Sequence, residues 1–314
     1  MTAPTHILPA LGIDLGGTKI ESVLLAADGS TLMRKRRATP AGDYGATLDA
    51  LAEVVQAART AAGGDVTIGI GTPGSAGPDD LMKNCNSTWL NGQPLQADVQ
   101  ARVGQAVVLA NDANCLALSE ATDGAGAGAP VVFAAILGTG VGAGVAVHGR
   151  VLRGANGLAG EWGHNPFPWV DSAEDADATT LSCYCGQRGC IETLLSGPAL
   201  ARDHGVPGLD ARQIAQSASA GDAAARDTLQ RHARRLAQAL AAVINLLDPD
   251  VVVLGGGLSQ MPHLYEEVPR MWGRWVFGAG GSGRVQTRLV PSVHGDASGV
   301  RGAAWLGRAA ALSL

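Results

Sequence analysis

Residues 11–26 read as a strand, a glycine-threonine turn and a second strand: LGIDL, GGTK, IESVLLA. The pattern returns about one domain length later, at 131–152, as VVFAAIL, GTGVGAG, VAVHGRVL. Self-similarity on this scale points to two copies of one unit, with a small-molecule ligand expected in the cleft between them. The surrounding segments keep to an α/β plan. TLMRKRRAT (31–39) is predicted as a third strand and 44–62 as an amphipathic helix, followed by strands at 66–70 and 106–110. Helices are predicted at 94–104, from 111 onward, at 225–247 and at 299–312, with a buried strand at 250–257 running into a glycine turn. A length of 314 residues agrees with two domains, at roughly 150 residues each. The small, flexible stretch SEATDGAGAGAP (119–130) marks the boundary.

Composition removes several function classes. No apolar run approaches the roughly 20 residues of a membrane-spanning helix. The N-terminus lacks the basic and apolar regions of a signal peptide, so the chain is expected to be cytoplasmic. Net charge is −5, and the one basic block, Arg34-Lys35-Arg36-Arg37, reads as a solvated edge strand. Neither a nucleic acid nor a membrane is expected as a partner.

The glycine turns are candidates for phosphate. Asp14 ends a strand, and Gly16, Gly17, Thr18 and Lys19 follow. Glycines let backbone N–H groups approach phosphate, a Thr hydroxyl donates, and a carboxylate orients Mg²⁺. The second turn offers Gly138, Thr139, Gly140 and Gly142, and a third offers Gly255, Gly256 and Gly257. Each alone is also an ordinary turn; two in matching places suit one triphosphate. Asn111 and Asp112 stand where a buried strand enters a helix. A carboxylate there suits a general base for a substrate hydroxyl, while the plain alternative is a helix cap.

Three of the five cysteines fall within CYCGQRGC at 183–190. A disulfide, a reactive thiol pair and a metal site are the alternatives. An odd total and a cytosolic setting favour the last two. Cys85 and Cys115 stand apart as packing residues.

IDLGGTK, GTPG (71–74), ANDANC (110–115), GTGVGAG, GEWGHNPFPW (160–169), CYCGQRGCIET (183–193) and VLGGG together resemble the ROK family of bacterial sugar kinases, repressors and related chains. NSTWLNGQPL (86–95), HNPFPW and HGDASGVRGAAWL (294–306) are most similar to its fructokinase/mannokinase branch. The resemblance implies an α/β, two-lobed actin/hexokinase-like (ribonuclease-H-like) ATPase fold with duplicated domains and a cleft between them. The lobes are expected at 1–119 plus 300–314, and at 120–299. The implied activity is ATP:hexose 6-phosphotransferase, with fructose as the expected sugar; glucose, mannose and N-acetylhexosamines are the alternatives. A sugar-responsive regulator is the rival, but regulators of this family add an N-terminal DNA-binding segment, and here the first phosphate strand begins near residue 11.

By the same resemblance Asp112 is the catalytic base. Gly74, Asn111, Asp112, Glu161, His164 and Glu192 contact the sugar. Residues 12–19, with Asp14 and Gly16 to Lys19, and the 138–145 segment take the ATP phosphates with Mg²⁺, and Gly255 to Gly257 lie on the adenosine side. His164 joins Cys183, Cys185 and Cys190 as a closed, structural zinc set, with Glu161 and Glu192 flanking it as pocket carboxylates. The acidic stretch between His164 and Cys183 is expected to be an exposed loop. A homodimer is also implied.

Overall fold

The structure, a computed structural model, describes residues 7–170, 175–176, 178–278 and 284–312. Along the chain run β1 (Ala10–Leu15), β2 (Lys19–Leu25), β3 (Thr31–Ala38), α1 (Tyr44–Ala62), β4 (Thr67–Thr72), β5 (Ser75–Ala76) and β6 (Met82–Lys83). Then follow α2 (Leu95–Val103), β7 (Val108–Asn111), α3 (Asp112–Asp123), β8 (Val131–Leu137), β9 (Val141–Val147) and β10 (Arg150–Val151). The remainder comprises α4 (Glu192–Leu195), α5 (Gly197–His204), α6 (Ala211–Ser219), α7 (Ala223–Leu247), β11 (Val251–Gly255), α8 (His263–Met271), β12 (Arg288–Pro291) and α9 (Ser298–Leu312). No helix among the described residues is long and apolar enough to cross a membrane.

The two sheets repeat one topology. Strand order is β3-β2-β1-β4-β7 in the first and β10-β9-β8-β11-β12 in the second. In each, the central strand pairs antiparallel with its hairpin partner and parallel with the strand on its other side. β1 and β8 are thus equivalent, and the sequence echo is a duplication of the fold. The β9–β10 turn is built by His148 and Gly149, at φ 48° and 71°, the left-handed pair that a two-residue hairpin loop requires.

The chain forms two compact units, one of Met1–Ala127, Gly149–Ala159 and Asp296–Leu314, the other of Gly128–His148 and Gly160–Gly295. This differs from the expected division in that 149–159 returns to the first unit and the whole of α3 stays there. Close backbone packing accounts for the second point. A Cβ on Gly302 of α9 would lie 1.7 Å from the Cys115 carbonyl oxygen of α3, and one on Gly12 of β1 would lie 2.0 Å from that of Val300. Only glycine permits such contact. At the other end of α3, the fully buried Glu120 accepts from the Ser298 hydroxyl at 2.8 Å and from the Ala125 amide at 2.8 Å.

Helix α1 begins at Asp43, whose side chain accepts the Ala46 amide, and stops at Gly63 in the left-handed region. Its Leu51 and Val55 belong to the same buried core as Leu11 and Ile13 of β1. In the second unit α7 buries Leu229, Ala233, Leu236, Leu240 and Ile244 along one face, and burial of each large aliphatic side chain contributes roughly 1.5–3 kcal/mol. The sequence reading did not separate α5, α6, α8 or β12; α8 carries an internal Pro269 and β12 spans four residues.

Candidate active site and metal centre

In the first unit, the β1–β2 turn closes with the Gly16 amide donating to the Lys19 carbonyl at 3.0 Å. Gly17 leaves room for Ser87, whose Oγ would lie 3.0 Å from an added Cβ. Thr18 and Lys19 are exposed, and the Lys19 ammonium stands 3.6 Å from the buried Glu21. Glu21 also receives Arg34 and Arg36 of β3. The basic block of the sequence therefore serves in part to neutralise a buried carboxylate. Those arginines hold the Glu21 carboxyl below its ordinary range, against the upward push of burial.

Asp14 lies beside Gly71 of the GTPG turn, where a Cβ would come within 3.8 Å of its Oδ1. Burial, and next the charge of Asp112, push the Asp14 carboxyl up to about 6 from an ordinary 3.8. Two carboxylates in mutual electrostatic reach, one of them desolvated, suit a cation or a shared proton. Asp112 is exposed and is the first residue of α3. Asn111 is the cap of that helix: its Oδ1 accepts the Asn114 amide at 2.8 Å. The cap and the candidate base thus stand on neighbouring residues, and the Asn111 side chain keeps its NH₂ as a donor. Gly74 packs against Lys83 and Cys85, with an added Cβ only 2.4 Å from the Lys83 carbonyl oxygen. A cavity of about 160 Å³ beside Asn111 is lined by Thr72, Ser75, Gln96, Asn114 and Arg153. Inside it the buried Asn114 Oδ1 has no hydrogen-bond partner among the described residues. Sequence reasoning missed Gln96, Asn114 and Arg153, because nothing but the fold gathers them.

In the second unit, GEWGH lies flat on β9. A Cβ on Gly160 would fall 2.2 Å from the Ala143 carbonyl oxygen, and one on Gly163 1.9 Å from that of Val141. The Ala143 amide donates to Gly160 at 3.1 Å, and Trp162 meets Phe133 edge-on at 5.6 Å. The motif's glycines and tryptophan thus fix the strand-hugging segment that carries Glu161 and His164. The second glycine turn lies in the same unit. Gly138 donates to the Gly140 carbonyl at 3.0 Å, Thr139 is exposed, and Gly142 is within β9. Glu192 Oε2 accepts the Val141 amide at 2.8 Å. Gly255 ends β11, Gly257 follows, and Gly256, at φ 80°, abuts Leu137 at the edge of that turn, where a Cβ would meet the Leu137 carbonyl oxygen at 2.5 Å.

The cysteine cluster closes around a point. The ligand atoms of His164, Cys183, Cys185 and Cys190 all lie within 4.8 Å of one another. Cys183 Sγ is 3.5 Å from His164 Nδ1, and Cys185 Sγ is 3.6 Å from Cys190 Sγ. Bonds of about 2.3 Å to sulfur and 2.0–2.1 Å to nitrogen give tetrahedral edges of roughly 3.8 and 3.5 Å, so this donor set fits zinc. All five cysteines are free. Gly186 and Gly189, at φ 90° and 70°, turn the chain around the cluster. His164 Nε2 lies 3.1 Å from the Tyr184 hydroxyl, a partner the sequence reading did not anticipate.

The acidic stretch before Cys183 departs from expectation. Residues 171–174 and 177 lie outside the described residues, but Asp175 is 1% exposed rather than solvated. It accepts Arg234 and Arg235 of α7, each at 2.7 Å, and is thereby tied to that helix.

Comparison with known proteins places this architecture. The ROK family signature matches residues 10–310. An N-acetyl-D-glucosamine kinase of Yersinia enterocolitica is 37% identical over 301 residues, covering 94% of this chain and 98% of its own. The ROK hexokinase of Thermus thermophilus superposes with a TM-score of 0.84 at 30% identity, covering 98% of this chain and 100% of the other. A ROK family glucokinase from Streptomyces griseus, in complex with glucose and AMPPNP, gives a TM-score of 0.75 at 30% identity, with 96% and 99% covered. The duplicated α/β units are those of the actin/hexokinase-like two-domain fold. By signature, sequence and fold across nearly its whole length, the chain belongs to the ROK family.

Proposed function

We propose that this protein is an ATP-dependent kinase that phosphorylates the 6-hydroxyl of N-acetyl-D-glucosamine. The observation that carries the sugar assignment is 37% identity, over 94% of the chain, to an enzyme named for that substrate. It replaces fructose, which rested on branch-like segments such as NSTWLNGQPL. Asp112, exposed at the start of α3, takes the proton of the attacking hydroxyl. Asn111, Gly74 and Glu161 orient the sugar, and Glu192 joins them through Oε1, since its Oε2 accepts the Val141 amide. His164 joins them only if Tyr184 leaves its Nε2, since that nitrogen is engaged at 3.1 Å. The turns at 16–19 and 138–142 present backbone amides to the phosphates, with Gly255 to Gly257 on the adenosine side. Asp14 would hold Mg²⁺, which when bound neutralises charge on the transferring phosphoryl group. His164, Cys183, Cys185 and Cys190 would hold a structural zinc with no open coordination position. The family resemblance also supports a homodimer, which sedimentation would test.

The deciding experiment is ADP release over N-acetylglucosamine, N-acetylmannosamine, fructose, mannose and glucose. The expected result is the highest kcat/KM with N-acetylglucosamine. A tenfold preference for any other sugar overturns the substrate, and absence of phosphoryl transfer from ATP to every sugar overturns the kinase reading.

A further inference from the structure

The segment that leaves the cysteine cluster clamps the second glycine turn at both ends. Glu192, two residues after Cys190, is the first residue of α4 and is half-buried. Its Oε2 accepts the Val141 amide at 2.8 Å. Five residues on, the Gly197 amide donates to the Gly138 carbonyl at 2.8 Å. The carboxylate lies so close over the turn that a Cβ on Gly140 would stand 2.6 Å from Oε2. The other oxygen, Oε1, is 3.9 Å from Cys183 Sγ. One side chain therefore touches both the metal-ligand set and the backbone of the turn.

We infer that Glu192 is a positioning residue for the Gly138–Val141 turn, holding its amide backbone in register through the Val141 hydrogen bond. An amide left without its acceptor is costly, and a preordered turn loses less entropy on binding an anion. The consequence for nucleotide affinity rests on the kinase reading above; the ordering of the turn does not. A side chain at 140 would have to displace this carboxylate from the turn.

Hydrogen exchange followed by mass spectrometry on the full chain, without sugar or nucleotide, reads the turn directly. In Glu192→Ala the peptide spanning 138–144 is expected to exchange at least about tenfold faster, consistent with loss of the acceptor for the Val141 amide. Glu192→Gln keeps a carbonyl acceptor and restores most of the protection. Gly140→Ala, which pushes the carboxylate aside, accelerates exchange like Glu192→Ala and serves if that variant fails to fold. AMPPNP binding by calorimetry is expected to weaken about tenfold in Glu192→Ala and to recover in Glu192→Gln. Unchanged exchange in Glu192→Ala overturns the assignment, as does a Gln variant that behaves like Ala. A chain that phosphorylates another sugar, or none, still gives the exchange result.

Discussion

The charge of Asp112, at the start of α3, bears on Asp14, at the end of β1: together with burial, which contributes most, it moves the Asp14 carboxyl up to about 6. The folded state therefore holds the Asp14 proton more tightly than the unfolded chain. The associated stability is fully present below about pH 4 and is lost as pH rises through about 6.

Asp14→Asn removes that titration. At pH 7.5 the variant is expected to be more stable than the parent by up to about 3 kcal/mol, with the difference closing by pH 4. Urea unfolding at pH 4, 5.5 and 7.5 measures it. A variant less stable at pH 7.5, or a pH-independent difference, sinks the electrostatic account. Activity moves the other way, because a neutral amide is a poor Mg²⁺ ligand.

Asn111 and Asp112 separate the helix cap from the chemistry. Asp112→Asn is expected to retain sugar binding while turnover falls by about 10³-fold or more. Near-normal turnover removes Asp112 as base. Asn111→Asp keeps the capping oxygen, so its thermal stability stays within about 0.5 kcal/mol of the parent, whereas Asn111→Ala costs about 1 kcal/mol. Both lose the amide donor and raise the KM for sugar. Thermal melts alongside steady-state kinetics distinguish the two roles.

The cysteine cluster predicts about one zinc per chain. Cys190→Ala is expected to lose the metal and to cost the second unit several kcal/mol, with sugar affinity falling because Glu161 and Glu192 flank the site. Elemental analysis and melting with and without chelator measure this. Folded, active protein free of zinc contradicts the prediction.

Asp175→Ala leaves Arg235, 4% exposed, without one of its carboxylate partners. Arg235 keeps Asp203 at 3.0 Å, so the expected cost is about 1–3 kcal/mol, below that of a buried charge left wholly unpaired and above loss of a residue on a solvated loop. A change below about 0.5 kcal/mol in chemical unfolding returns the segment to the exposed loop that its acidity suggests.

Much of the architecture was legible because it rests on local signals. Helix 44–62 carries its own cap in Asp43 and its own stop in Gly63, and the strand–turn–strand echo announced the duplication. The acidic stretch misled for an equally physical reason. Composition reports that Asp residues prefer water; it does not report Arg234 and Arg235 arriving from a helix some 60 positions away in sequence. Pro269 inside α8 reads as a helix breaker, and β12, at four residues, is too short for periodicity to register.

The sequence by itself determined the residue types and their spacing: two glycine turns, a carboxylate entering a helix, a His-and-cysteine donor set, and hydrophobic runs sufficient for two α/β units. Tertiary structure alone decided that Asn111 caps while Asp112 stays exposed, that Tyr184 engages His164, that Lys19 turns to Glu21, and that Glu192 reaches Val141. Those outcomes depend on distances across the fold, where backbone approach, burial and charge act between residues that sequence spacing does not relate.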